Sequence, residues 1–570
     1  MKKITLTLGC LLAFCHLLLA QTGAIHERLY LSLDKDSYLA GESIWISAFC
    51  FDVETGTPSL ISSVAYVELQ EAQSSPVCIK IALKQGRGSG CMSLPMDLPT
   101  GNYALTAYTR YQYDEGAALS FRRFVTIYNP LTNVRTPQVI HQTDADASAS
   151  AQPHQAPVPA LQPTEWVSVQ TNAPRYGLRA PFSVSLQNNG SAPLSASVSV
   201  YKIDSLNKVP HPSIVDIINE LDKNNLQPIT LEHVDYAGEV IRGHLVDQRN
   251  NRIPGPDVKG VSLSITGKDV QYHVGEADEE GNVRFFTSNL YGNGELVSLV
   301  PSESHTVFRL VLDSVFQHPA VGPLPTLLLD PSQEAQLATR SVDVQTNHIF
   351  RTDTLNPEVR LSSNPLFENT GVTYNLDEYT RFPLMSEVII EFVKEARFRS
   401  LDNGKKSLQV RITDALDLPY FTDDFIPALV LLDGVPVTDH TLIYNYDPAL
   451  VKSITIFPNK YAFGSLYYTG IVFFRTYQGT YPGLTFDSSM RLENFIGVQN
   501  QVQLGHVSRD SRLPDRRNTL FWAPNVSVQP HQEQILEGQT CDIPGDYCVV
   551  VEGMTLQGTP FQTATRFHVE

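Results

Sequence analysis

Two stretches of this chain carry the same kinds of side chain at the same intervals, and that repeat constrains the fold more than any other feature. Asp34, Tyr38, Ile44, Ile46 and Ser47 return as Asn172, Tyr176, Phe182, Val184 and Ser185, each at an offset of 138 residues (Tyr176 against Tyr38). A constant offset over five positions argues for two domains of one type. The surrounding residues alternate as strands do. Leu29, Leu31 and Leu33 fall on one side of a first run, and Ile44, Ile46, Ala48 and Cys50 on one side of the next, with Trp45, Phe49 and Phe51 on the other. Further runs over 64–69, 78–83, 90–94, 103–108 and 121–128 are separated by Gly41, Gly56-Thr57-Pro58, Gly86 and Pro99-Thr100-Gly101. About seven short strands at this spacing predict an antiparallel sandwich. Gly41 is expected in a left-handed turn and Tyr38 at the sandwich edge, its hydroxyl reaching backbone.

The first of these stretches resembles a known domain. Leu29-Tyr30-Leu31-Ser32-Leu33-Asp34-Lys35, then Tyr38, Gly41-Glu42 and Ile44-Trp45-Ile46, is similar to the opening of the second macroglobulin domain of alpha-2-macroglobulins. Leu94-Pro95 and Gly101-Asn102-Tyr103-Ala104-Leu105 resemble later motifs of that domain. The Cys-Gly-Glu-Gln thioester of many macroglobulins is missing, which removes covalent trapping of a protease from what the resemblance implies.

The rest of the chain changes character in steps. Lys2 and Lys3, an apolar run over 8–19 and Ala20 have the layout of a cleavable signal peptide over 1–20, so export is expected. Cys10 after Leu8-Gly9 is a weaker match to a lipoprotein box, because too few apolar residues precede it. After a first sandwich over 21–130, residues 131–164 are expected to be a flexible linker, with Ala, Pro, Gln, Ser and Asp dominating from His141 to Thr164. A second sandwich is placed over 165–235, ending in a short helix that presents Ile214, Ile217, Ile218 and Leu221. Residues 236–355 read as a further β domain with a connecting segment, similar to carboxypeptidase-regulatory-like modules. Its Ala277-to-Phe285 stretch is a hairpin turning at Gly281. Asp278, Glu279 and Glu280 lack the twelve-residue calcium-loop pattern and read as a solvated turn.

Over 356–480 the all-β habit breaks. Met385, Val388, Ile389 and Phe392 have helical spacing, and the chain continues through Leu429-Val430-Leu431-Leu432-Asp433-Gly434-Val435-Pro436, Ile454-Thr455-Ile456 and Gly470-Ile471-Val472-Phe473-Phe474-Arg475-Thr476. This resembles the plug domain of TonB-dependent outer-membrane receptors. Too few residues follow Thr476 for a receptor barrel of about 22 strands, so a plug-like unit outside any barrel of its own chain is expected. Residues 481–570 read as one more short sandwich-like segment. The fold class is therefore mainly β: tandem immunoglobulin-like or macroglobulin-type sandwiches with one small α+β unit. The combination resembles exported proteins of Bacteroidetes-type bacteria.

The chemistry in the sequence is sparse. Acidic residues outnumber basic ones, 60 to 42, for a net charge of -18, which leaves no basic field for nucleic acid. No His-Glu-x-x-His, no Gly-x-Ser-x-Gly and no phosphate loop occurs. Gly86-Arg87-Gly88-Ser89-Gly90 joins two strands and reads as a hairpin, and the histidines are scattered. No catalytic residue, cofactor or metal is expected. Cys78 with Cys91, or Cys541 with Cys548, are candidate disulfides, with buried thiols as the alternative; Cys50 is left over.

The expected function is a non-enzymatic, exported cell-envelope protein that binds another protein, an outer-membrane protein among the candidates, in the periplasm or at the outer membrane. A macroglobulin-like endopeptidase inhibitor and an accessory plug component of TonB-dependent transport are the alternatives. No membrane-spanning segment is expected after residue 20. Tyr461, Phe463, Tyr467 and Tyr468 are the candidate partner-binding residues. Their loop and the Asp433-Gly434 turn are expected to project from the α+β sheet.

Overall fold

The computed structural model describes residues 25–71, 74–141, 166–221, 234–255, 258, 260–267, 270–288, 290–301, 307–350, 355–357, 371–412, 427–486, 488–504 and 512–570. The signal peptide expected over 1–20 and most of the linker expected over 131–164 lie outside the described residues. The protein is mainly β and divides into two compact units, one of residues up to 236 with 316–358 and 499–570, the other of 237–315 with 359–498.

In the first unit the repeat is built as the sequence suggests. Glu27–Leu33, Ser43–Asp52 and Arg87–Ser93 form one sheet, and Ser37–Leu39, Phe121–Tyr128, Gly101–Tyr108, Val64–Glu71 and Ser74–Ala82 are successive neighbours in the other. Leu29, Leu31, Ile44, Ile46, Leu69, Ile81, Leu105 and Ile127 fill the space between them. Leu31 pairs with Ala48 in this sandwich, and Val169 pairs with Leu186 in the second, at the same offset.

The repeated polar residues explain why the spacing is kept. Asp34 Oδ1 accepts from the Tyr38 hydroxyl at 2.9 Å and from Trp45 N at 3.0 Å. Asn172 Oδ1 accepts from the Tyr176 hydroxyl and from Ser183 N. In each copy one side-chain oxygen pins the turn between two strands, and the tyrosine lies in a short strand running parallel to a later one. The left-handed residue is repeated too: Gly41 has φ +90° and Arg179, its counterpart, has φ +55°. Glycine takes that conformation without strain; Arg179 is held in it by a bidentate pair with Asp542.

Three boundaries differ from the sequence reading. Residues 131–141 are not linker: Thr136 N donates to Thr100 O, and Val139–His141 runs parallel to Leu327–Leu329. The second sandwich does not close within 165–235. Its sheets are Val167–Thr171, Pro181–Asn188, Glu533–Gln539, and Arg175–Tyr176, Pro560–Val569, Gly545–Thr555, Leu194–Lys202, Thr519–Val528. Leu194–Lys202 is flanked on both sides by strands from the end of the chain, so 481–570 is not a sandwich of its own. Its earlier part, Met490–Phe495, pairs instead with Gly294–Leu299 in the second unit. Third, a helix at Glu334–Phe350 lies where connecting chain was expected. The short helix at Ile214–Glu220 is present, with a capping box between Ser213 and Asp216, and packs on the core of the first sandwich.

All five cysteines of the described residues are thiols. Neither candidate disulfide is geometrically available. Cys78 lies opposite Glu68 in one sheet, whereas Cys91 lies opposite Trp45 in the other. Cys541 sits in the second sandwich's core with Tyr547, while Cys548 belongs to a separate cluster with Tyr201 and Ala564.

In the second unit, Asn282–Phe286, Val240–Val246 and Arg309–Leu312 form one sheet of the module, and Gln271–Gly275, Val261–Ile265, Gly294–Leu299 and Met490–Phe495 form the other. Asp278 makes an exposed turn, accepting from Glu280 N and Asn282 N. The α+β part has the strand order Val372–Asn375, Val451–Phe463, Leu466–Thr476, Leu429–Leu432, Val435–Pro436. Val430, Leu432, Ile454, Val472 and Phe474 pack with the helix Met385–Phe392, while Leu429, Leu431, Ile471 and Phe473 pack with Val270 and Tyr272. Burial on both faces accounts for the unbroken apolar runs.

The Asp433-Gly434 turn does not project. Both residues have positive φ, as a two-residue hairpin requires, but Asp433 is buried. Its carboxylate accepts from Thr476 N, the Thr476 hydroxyl and Tyr481 N, so it ties the hairpin to the end of the neighbouring strand.

His440 gives this unit a pH dependence. Its buried Nδ1 accepts from Leu408 N at 2.9 Å, which only the neutral ring can do, and burial lowers its pKa to about 4. The unfolded chain, near 6.5, therefore takes up the proton first as pH falls. The stability His440 contributes is fully present above about 6.5 and is lost down to about 4, at up to about 1.4 kcal/mol per pH unit. His440→Asn, which keeps an acceptor without a titration, should lose less stability than the parent between pH 6.5 and 4.5. Urea midpoints measured across that range check this; parallel curves would refute it.

Candidate protein-binding surface

The four aromatic residues singled out in the sequence lie on one β-hairpin, Val451–Phe463 with Leu466–Thr476, turning at Gly464. Tyr461 pairs with Tyr468 and Phe463 with Leu466, which sets these on one face; Ala462 pairs with Tyr467 on the other. The first face is covered by the module of the same unit. Phe463 meets Tyr272 edge-on at 5.3 Å, and the Tyr272 and Tyr468 hydroxyls are 2.9 Å apart. Burial raises the pKa of both Tyr461 and Tyr468. Three of the four rings thus complete an internal core, and Tyr467, 41% exposed, faces outward.

A second group of rings in this unit reaches the surface through Tyr379, with Phe382 and Phe392 half-buried and Tyr374 buried beneath. Tyr379 stacks on Phe392 with centroids 4.2 Å apart, and Tyr374 and Phe382 lie within 6.4 Å of Phe392. Tyr379 is 39% exposed, and Ile390 and Leu384 on and before the same helix are exposed as well. The helix side facing the sheet is taken by Met385, Val388 and Ile389, which leaves the others outside. Tyr374 belongs to Val372–Asn375, which among the described residues pairs on one side only, with Val451–Phe463. Its hydroxyl donates to Glu395 Oε2, and burial, then that hydrogen bond, raises its pKa. Arg381 adds a polar rim, donating to Asp377 at 2.6 Å, to the Tyr477 hydroxyl and to Pro448 O and Val451 O. An edge strand with exposed rings beside it can take an added strand and seat its side chains. The density of aromatic residues over 374–392 was visible in the sequence; that Tyr379 and Phe392 stack at the surface was not.

A polar cluster in the first unit was also invisible. Glu68 is fully buried and accepts four hydrogen bonds, from the Tyr108 hydroxyl (2.6 Å), His318 N (3.2 Å), His318 Nδ1 (2.7 Å) and Gln70 Nε2 (3.1 Å). Cys78 is its cross-strand partner. Burial, then the charge of Glu68, pushes the Cys78 thiol up to about 12. Burial and Glu68 likewise push the Tyr108 hydroxyl well up.

No helix among the described residues is long and apolar enough to cross a membrane. No family model matches the sequence, and no curated protein matches it. Among solved structures, the chain is similar to the native conformation of Escherichia coli alpha-2-macroglobulin and to Salmonella alpha-2-macroglobulin reacted with methylamine. Each is 10% identical, with a TM-score of 0.24, over 96% of this chain and 40% of that one. The adhesin InvE of Yersinia pseudotuberculosis is 10% identical with a TM-score of 0.13, over 63% of this chain and 79% of that one. The chain thus spans about 40% of the length of the macroglobulins it matches.

Proposed function

We propose that this chain is a non-enzymatic, exported protein of the bacterial cell envelope, and that it binds an extended segment of a partner protein along the edge strand Val372–Asn375. The observation that carries the reading is the coincidence of that strand, paired on one side only among the described residues, with the exposed Tyr379 stacked on Phe392 and with exposed Leu384 and Ile390. Backbone pairing supplies affinity at such an edge, and the rings supply selectivity. An outer-membrane protein is the partner class that the plug-like sequence resemblance suggests.

Cross-linking followed by pull-down from envelope fractions tests it. Tyr379→Ala with Ile390→Ser should reduce recovery of a specific partner about tenfold or more, with only a small fall in melting temperature from the lost stack on Phe392, because Ile390 faces solvent and Tyr379 is partly exposed. Tyr467→Ala serves as the second arm, for the open face of the hairpin. Equal recovery by the parent and the Tyr379/Ile390 variant would reject this surface, and loss with Tyr467→Ala alone would move the interface to the hairpin.

A further inference from the structure

We infer that Glu68, Cys78 and His318 form a binding site for one zinc-class divalent cation. The inference is independent of the protein-binding reading and concerns the other unit.

The three residues come from different parts of the chain and converge. Glu68 and Cys78 are directly opposite each other on Val64–Glu71 and Ser74–Ala82, which places their side chains on one face of the sheet. His318 arrives from a separate segment. One carboxylate oxygen, the thiol sulfur and one imidazole nitrogen all lie within 4.8 Å of one another. Carboxylate, thiolate and imidazole together are the mixed oxygen, sulfur and nitrogen set that zinc accepts. Bond lengths of about 2.0–2.3 Å to a tetrahedral centre put ligand atoms about 3.3–3.8 Å apart. His318 Nδ1 and Glu68 Oε2, now 2.7 Å apart across a shared proton, need only part by somewhat more than half an ångström as the cation takes the proton's place.

The surroundings are those of an oriented ligand set. Gln70 Nε2 donates to Glu68, and the Gln70 carbonyl oxygen accepts in turn from the Thr106 hydroxyl. The Tyr108 hydroxyl donates to the other carboxylate oxygen and accepts from Gln317 N, the residue beside the histidine. These contacts fix the carboxylate and the backbone that delivers the imidazole, as partners behind metal ligands do. His318 itself has φ +45°, a conformation that costs a non-glycine residue energy and is held here by its N–H to Glu68. Its side chain is 50% exposed, so a cation can enter from solvent and keep a water as fourth ligand.

The test uses the full chain, stripped with chelator and kept under a non-thiol reductant, titrated with Co²⁺ alone and then with Zn²⁺. The expected result is one equivalent bound, with a sulfur-to-cobalt charge-transfer band that Zn²⁺ abolishes. Cys78→Ser should remove the band, His318→Ala should weaken binding by about 100-fold or more, and Gln70→Ala by about tenfold. Absence of stoichiometric binding, or a band that persists in Cys78→Ser, would overturn the inference. Should Cys78→Ser fail to fold, His318→Ala decides, since its side chain is half in solvent: binding at parental affinity in that variant overturns the site.

Discussion

Replacing Asp34 with alanine is expected to destabilise the first unit by about 3–5 kcal/mol, while Asp34→Asn costs about 1–2 kcal/mol. The difference follows from what each oxygen does. Oδ1 takes the Tyr38 hydroxyl and Trp45 N; Oδ2 takes the Thr519 hydroxyl at 2.6 Å and Lys35 Nζ at 3.2 Å. The side chain has no exposure to solvent, so alanine leaves buried donors that water cannot reach. Asparagine retains the Oδ1 bonds, and Asn172 already fills that role in the second sandwich. What asparagine loses is the charge beside Lys35, which keeps Glu42 at 3.6 Å. Thr519 can reverse its hydroxyl to accept from the new amide. Urea unfolding of the three proteins measures the ranking. Equal losses for alanine and asparagine would mean that the charge, not the turn clamp, is what matters at this position.

The Thr519 contact also shows where sequence reading stops. The clamp was legible because Asp or Asn, Tyr and an apolar strand recur at one offset, and local hydrogen bonding forces that spacing. Thr519 belongs to a strand more than four hundred residues away in sequence, and nothing in the alternation of 519–528 says which sheet it joins. The same holds for Gly545–Thr555, whose register with Leu194–Lys202 is fixed by shared core residues such as Val198 and Val551 rather than by any local turn. Arg179 was not legible as a left-handed residue, because arginine does not announce that conformation as Gly41 does. The candidate surfaces divide in the same way. Aromatic density over 461–468 suggested an interface, but Tyr272 takes three of those rings inward. Glu68 and Cys78 could be paired only once strand register was known, and His318 only once its segment was placed.

The helix Glu334–Phe350 is the clearest case of a hidden element, and it sets up the second large effect. Its buried positions include Arg340, Ser341, Asp343 and Asn347, with Val344 as the apolar member, so no apolar periodicity marks it. Charge holds it instead. Arg340 Nη1 donates to Asp204 at 2.8 Å and to the Ser37 hydroxyl at 2.9 Å, and Nη2 donates to Ser37 O at 2.7 Å and to Glu42 at 3.0 Å. Arg340→Met roughly keeps the volume but leaves two largely buried carboxylates short of a cation, a loss of about 3–5 kcal/mol for a broken, largely buried network. Lys35 near Glu42 and Lys208 near Asp204 remain, which argues for the lower end, about 3 kcal/mol. The pH dependence separates this from lost packing. Burial alone would raise the Glu42 pKa, but Arg340 and then Lys35 outweigh it and hold the value below normal. A carboxylate depressed in the folded state contributes stability above its unfolded pKa, about 4.3, and loses it as pH falls through the folded value. The gap between parent and Arg340→Met should therefore be widest near neutral pH and shrink in acid, and Glu42→Gln added to Arg340→Met should recover part of it. A gap that stays constant from pH 7 to 3, with no recovery in the double variant, would show that the guanidinium acts through packing alone.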